Sequence, residues 1–207
     1  MIRLDRRLAL AAAFALALTS VSAAPVPGSG LVRPDDMVMG SPKAKVTVIE
    51  YASASCPHCA RFNDDIFPAF KAKYIDTGQV RYVFREYLTE PVEVAAAGFM
   101  LARCAGKDKY FKVVDEVFRG QEAMYKTGDV RGVLLKIGEN NGLTEAQYMA
   151  CLTDNASKEA LFKKVDGYAE HDKIESTPTF LIGDQKLEGV QTLPELDDAI
   201  AKAKRGK

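Results

Sequence analysis

Val46-Thr47-Val48-Ile49-Glu50-Tyr51 runs through Ala52-Ser53-Ala54-Ser55 into Cys56-Pro57-His58-Cys59. The first six residues are β-branched and nearly continuous in apolar character, as in a central strand covered on both faces; Glu50 is the exception. Pro57 suits the first turn of a helix, where its missing N–H would have no partner in any case. The spacing therefore predicts a helix opening near Cys56. A C-x-x-C at that junction puts Cys56 where unpaired N–H groups and about half a positive charge stabilise a thiolate. His58, protonated or donating a hydrogen bond, adds to this. Cys59, one turn in and more buried, suits the resolving thiol. The alternatives are a static disulfide or half of a zinc site. Closing a two-residue loop stabilises little, and zinc needs two more ligands, for which only the scattered Cys104, Cys151 and His171 are available. The four residues therefore favour redox catalysis, with no metal or other cofactor.

Downstream, Ile66, Phe67, Phe70 and Tyr74 continue at helical spacing, with Pro68 predicting a kink or break. Residues 79–87 read as a second strand after Gly78. Residues 91–173 read as helical, with apolar stripes at Ala95, Phe99 and Ala102, at Tyr110, Val113, Val114, Val117 and Phe118, and at Leu161, Val165 and Tyr168. Asp129 precedes one helix, which Asn140-Asn141-Gly142 ends. Thr144 with Gln147 fits a capping box before another. The period then returns to strand at Thr179-Phe180-Leu181-Ile182, with a Gly183-Asp184 turn, a strand over 185–189 and a helix over 193–204. This order predicts an α/β fold: a mixed sheet with helices on it, and a helical domain inserted between the second strand and the strand hairpin.

Arg3, Arg6 and Arg7 precede the apolar run over residues 8–18, and Val21-Ser22-Ala23 supplies the small residues of a cleavage site. That is the pattern of a signal peptide over 1–23, its apolar run shorter than the ~20 residues that span a bilayer. Pro25, Pro27, Gly28, Gly30 and Pro34 mark 24–40 as an irregular leader. The mature chain would carry 25 basic and 27 acidic residues, a balance with no long-range field for nucleic acid. A signal of bacterial type points to the periplasm, where an even number of cysteines is expected to form disulfides.

Gly40-Ser41-Pro42, residues 46–51, Cys56-Pro57-His58-Cys59 and Ser176-Thr177-Pro178-Thr179-Phe180-Leu181-Ile182-Gly183 together resemble the DsbA-like branch of the thioredoxin-fold superfamily. The resemblance covers nearly the whole mature chain and implies a thioredoxin fold split into 41–90 and 174–207 by the helical domain over 91–173. It implies that Pro178 is a cis-proline facing the active site. Thr177 would touch the Cys56 sulfur and offer backbone groups to an extended substrate. It also implies that Glu50, six residues before Cys56, lies beneath the site and moves protons at the buried cysteine; taken alone, Glu50 could equally reach solvent or Arg81.

By the same resemblance the chain would introduce disulfides into reduced or unfolded secreted proteins and be reoxidised by a quinone-linked membrane protein. Lowering a thiol pKa from ~7 to ~3.5, the span between thioredoxin and DsbA, stabilises the reduced form by roughly 4–5 kcal/mol at pH 7, about 100 mV of oxidising power. His58 as the second intervening residue favours this direction. A disulfide isomerase or reductase is the main rival. Isomerases of the superfamily usually carry a separate dimerisation domain, for which 24–40 is too short, so a monomer is expected; a thiol-based metal- or peptide-binding protein is the third reading. Cys104 and Cys151 are expected to form a structural disulfide within the insert. It would close a loop of about 48 residues and contribute roughly 4 kcal/mol in the chain-entropy account. Two buried free thiols or a second redox pair stay open.

Overall fold

A computed structural model describes residues 32–206. The signal peptide and residues 24–31 of the leader read from the sequence lie outside the described residues.

Five strands make one sheet in the order β1-β3-β2-β4-β5. They are β1 (Met37–Met39), β2 (Val46–Ala52), β3 (Val80–Glu86), β4 (Thr179–Ile182) and β5 (Gln185–Glu188). β2 and β3 run parallel, and every other pairing is antiparallel. The parallel step needs a crossover, supplied by α1 (Pro57–Asp65), α2 (Phe67–Phe70) and a π-helical turn over Lys71–Ile75. Pro68 falls in the first turn of α2: the helix breaks just ahead of it, because a proline inside α1 would forfeit a hydrogen bond. β1 lies within the stretch read as irregular. Its three residues are too few to show a period, and pairing with the edge of β3 makes them a strand.

The helical domain comprises α3 (Val92–Cys104), α4 (Tyr110–Thr127), α5 (Val130–Asn140), α6 (Glu145–Leu152) and α7 (Asn155–Asp172). Asp129 caps α5 by accepting from the Gly132 N–H, and Thr144 with Gln147 forms the capping box of α6. After β5, α8 (Leu193–Arg205) starts at a second capping box, Thr192 with Glu195. No helix among the described residues is long and apolar enough to cross a membrane.

Alternation along β2 sends Val46, Val48, Glu50 and Ala52 to one face and Ile49 and Tyr51 to the other. The first face meets the main core, with Phe62 of α1, Tyr82 and Phe84 of β3, Phe99 of α3 and Val117 of α4. Ile49 and Tyr51 join a smaller core with Val83, Ile174 and Leu181. Glu50 thus points into the larger core, on the side where α1 lies.

Candidate active site

Cys56 is the N-cap of α1 and Pro57 its first residue. The cap backbone is extended (φ −85°, ψ 116°), which turns its sulfur back over the helix mouth, where Sγ accepts the Cys59 N–H at 3.4 Å. Both cysteines are free thiols and buried. The Thr177–Pro178 peptide is cis, and the Thr177 carbonyl oxygen lies 3.5 Å from the Cys56 sulfur. β4 starts at the next residue and pairs with β2, so the sheet brings the two ends of the chain's active segment together across 121 residues.

The two sulfurs are in opposite electrostatic states. Cys56 is lowered to about 5. The Cys59 thiol donating to it is the largest cause, burial opposes, and the Thr177 side chain and the Cys59 and His58 backbone N–H groups add to the lowering. Cys59 is pushed well up, first by burial, then by its hydrogen bond to Cys56 and the charge there. The exposed His58 ring is not among the partners that lower Cys56; His58 contributes through its backbone.

Glu50 is 2% exposed and accepts a hydrogen bond from the Tyr82 hydroxyl at 2.5 Å. It reaches neither solvent nor Arg81. Burial raises it to about 8, against the Tyr82 hydrogen bond, with the charge at Cys56 pushing the same way as burial. Its own charge would in turn push Cys59 higher, so protons at Glu50 and Cys59 are linked. A cavity of about 330 Å³ lies beside Glu50, lined among others by Phe62, Phe67, Tyr82, Phe111 and Lys112.

Cys104, the last residue of α3, is disulfide-bonded to Cys151 of α6, with Cα atoms 6.2 Å apart. This bond ties two helices of the insert.

The sequence reading missed four partners of the site. Tyr82 looked like one more strand aromatic. Ser55 donates to the Thr89 carbonyl at 2.8 Å, a contact made only in three dimensions. Gln121 and Tyr125 of α4 also reach the loop before Cys56. Gln121 alone left a trace: it continues the stripe of Tyr110, Val113, Val114, Val117 and Phe118, where an apolar residue belongs.

A strand-to-helix dithiol facing a cis-proline is what the comparisons with known proteins bear on. Residues 33–202 match the family model described as thioredoxin. This chain belongs to the thioredoxin family. Within that family it is DsbA-like. It superposes on a crystal structure of Wolbachia pipientis alpha-DsbA1 with a TM-score of 0.76 at 27% identity, covering 85% of this chain and 94% of that one. A second thioredoxin-fold structure, oxidised BdbD from Bacillus subtilis, gives a TM-score of 0.72 at 22% identity over 88% and 99%, a likeness of fold. Among curated relatives, a putative protein-disulfide oxidoreductase of Rickettsia bellii is 35% identical over 76% of this chain and 59% of its own length. The chain thus spans about three fifths of the Rickettsia relatives it matches. Disulfide bond formation protein D of Bacillus subtilis is 25% identical over 82% and 78%.

Proposed function

We propose that this chain is a protein-disulfide oxidoreductase that introduces disulfide bonds into reduced or unfolded secreted proteins of the periplasm through Cys56 and Cys59. The observation that carries the reading is the split between the two sulfurs: Cys56 lowered to about 5, Cys59 raised by burial. A nucleophile ionised at neutral pH stabilises the dithiol and makes the disulfide eager to be passed on. After allowance for solvent screening at the site's mouth, the reduced form gains on the order of 2 kcal/mol at pH 7, roughly 40 mV of oxidising power over an ordinary thiol.

In the reaction a substrate thiolate attacks Cys56 of the disulfide form. The bond to Cys59 breaks, and Cys59 departs with the electron pair and takes up a proton. A second substrate thiolate then attacks the substrate sulfur of the mixed disulfide, and Cys56 leaves as a thiolate. Two electrons have passed from substrate to enzyme. Glu50, protonated at pH 7 because its midpoint sits near 8, is suited to supply the proton Cys59 needs. Thr177 and Pro178 offer the extended edge on which a substrate segment lies. Pro57 and His58 set the helix mouth, and Cys104–Cys151 holds the insert.

Residues 1–23 serve as the cleaved export signal, 41–90 and 174–207 as the two parts of the thioredoxin-fold domain, and 91–173 as the helical domain. The chain acts as a monomer, and a quinone-linked membrane protein returns it to the oxidised form. Equilibration of the mature protein in glutathione buffers tests the direction: a potential well above that of thioredoxin supports the oxidase, and one near −270 mV, the value for thioredoxin, points to a reductase. Refolding assays with reduced and with scrambled substrate then separate oxidation from isomerisation.

A further inference from the structure

The loop that delivers Cys56 is held by side chains that belong to neither β2 nor α1. On α4, Gln121 Nε2 donates to the Ala54 carbonyl at 2.8 Å and to the Cys56 carbonyl at 3.3 Å. One helical turn later, Tyr125 Oη donates to the Ser55 carbonyl at 2.7 Å. Three consecutive carbonyls are therefore turned towards α4. From the other side α3 leans on the same loop: a Cβ at Gly98 would stand 2.9 Å from the Ala54 Cβ, so that helix packs at a distance only glycine allows. The Thr89 N–H donates to Ser53 Oγ at 3.1 Å, completing the grip on residues 53–56.

Gln121 is an odd choice for stability. It is buried in the apolar stripe of α4, and its Oε1 has no hydrogen-bond partner among the described residues. A methionine there would fill the same space with no unpartnered oxygen on its own side chain. A local rule broken inside a core points to function.

We propose that Gln121 and Tyr125 are positioning residues of the exchange reaction, holding the carbonyls of Ala54 and Ser55 away from the Cys56 sulfur so that it stays over the N-terminus of α1, while the Cys56 carbonyl is held by the Ala60 N–H as well. The assignment rests on the reading of Cys56 as the exchanging sulfur. Were these carbonyls free to turn, their negative ends could swing toward the thiolate and the N–H groups of residues 58 and 59 would lose their aim at it. The hydrogen bonds from Gln121 and Tyr125 prevent that. The helical domain thus contributes to the chemistry by fixing the active-site loop, besides covering the sheet.

The test uses the mature protein carrying Tyr125→Phe or Gln121→Met. The rate of Cys56 alkylation by iodoacetamide is followed against pH, alongside thermal unfolding of the reduced form and the rate of disulfide transfer to a reduced peptide. Both variants are expected to melt within a few degrees of the parent, since Tyr125 is 42% exposed and Gln121→Met removes the unpartnered Oε1 while leaving the Ala54 carbonyl without its donor. The alkylation midpoint should nonetheless rise by about half a pH unit or more in each, with transfer slowed roughly three- to tenfold. If Gln121→Met does not fold, Tyr125→Phe carries the test alone. A parent with its midpoint near five and variants that match it in midpoint and rate overturn the assignment and leave the oxidoreductase reading standing. A parent whose midpoint is that of an ordinary thiol overturns both.

Discussion

Glu50 and Cys56 pull stability in opposite directions as pH changes. Glu50 holds its proton in the folded chain up to about 8, whereas the unfolded chain releases it near 4.5. Between those values the folded state binds the extra proton, so stability from this group is complete below 4.5 and lost as pH rises to 8. Glu50→Gln keeps the Tyr82 hydrogen bond and removes the ionisation. It should raise the unfolding free energy at pH 8 by roughly 1–3 kcal/mol and change little at pH 4.5; chemical unfolding at both pH values checks this. Cys56 behaves the other way. In the reduced protein its contribution grows as pH rises above about 5 and fades as pH falls through it. Thr177→Val removes one side-chain donor to that sulfur. The Cys56 midpoint should rise by about one pH unit and the protein should become a weaker oxidant, read in the same glutathione equilibrium. At this level Cys56 and Cys59 were legible because their types and spacing are local, whereas Glu50 was singled out only by the family resemblance. The source of donors was less so. The sequence pointed to the His58 ring, yet Cys56 draws on backbone N–H groups, the Cys59 thiol and Thr177, a set that only the folded geometry assembles.

Elements were readable where their period was long and their ends were marked. α5 and α6 begin at Asp129 and Thr144, as their side chains require for capping. β1 was not readable, because pairing with β3 and not its own pattern makes it a strand. The junction of α3 and α6 was expected from the Cys104–Cys151 pair, and tertiary packing brings Cys104 within 6.2 Å, Cα to Cα, of Cys151. They are separated by 47 positions in sequence, and replacing both by serine should lower stability by roughly 3–4 kcal/mol if chain entropy dominates. The Cys56 midpoint and the rate of exchange should stay as they were. Calorimetry of the double variant, paired with the transfer assay, is the check; lost exchange with unchanged melting would contradict a purely structural bond.

Across the whole fold, the sheet separates two kinds of interior. One face carries the dithiol, Glu50 and the insert. The other buries a charged network: Arg85 pairs with Asp36 at 3.1 Å and with Asp172 at 2.7 Å, and donates to the Tyr51 hydroxyl at 3.1 Å, which in turn donates to Asp172 at 2.5 Å. This network joins the entry to β1, the sheet and the end of α7, tying the helical insert back to the thioredoxin fold. Arg85→Met would leave two buried carboxylates without this cation and should cost about 3–5 kcal/mol, seen as a lower denaturant midpoint, while the dithiol on the far face keeps its titration. None of this network was legible in advance, because Arg85 reads only as one residue of the second strand and its partners lie 49 and 87 residues away. The architecture itself was legible, since strand, helix and turn signals agreed along the chain. What the account asks of the architecture is a single ionisation, and the most direct measurement is the ultraviolet absorbance of the Cys56 thiolate in the reduced mature protein, followed across pH with Cys56→Ser as the blank. A midpoint close to 5 is the result the account predicts; a midpoint between 8 and 9, that of an unperturbed thiol, would contradict it.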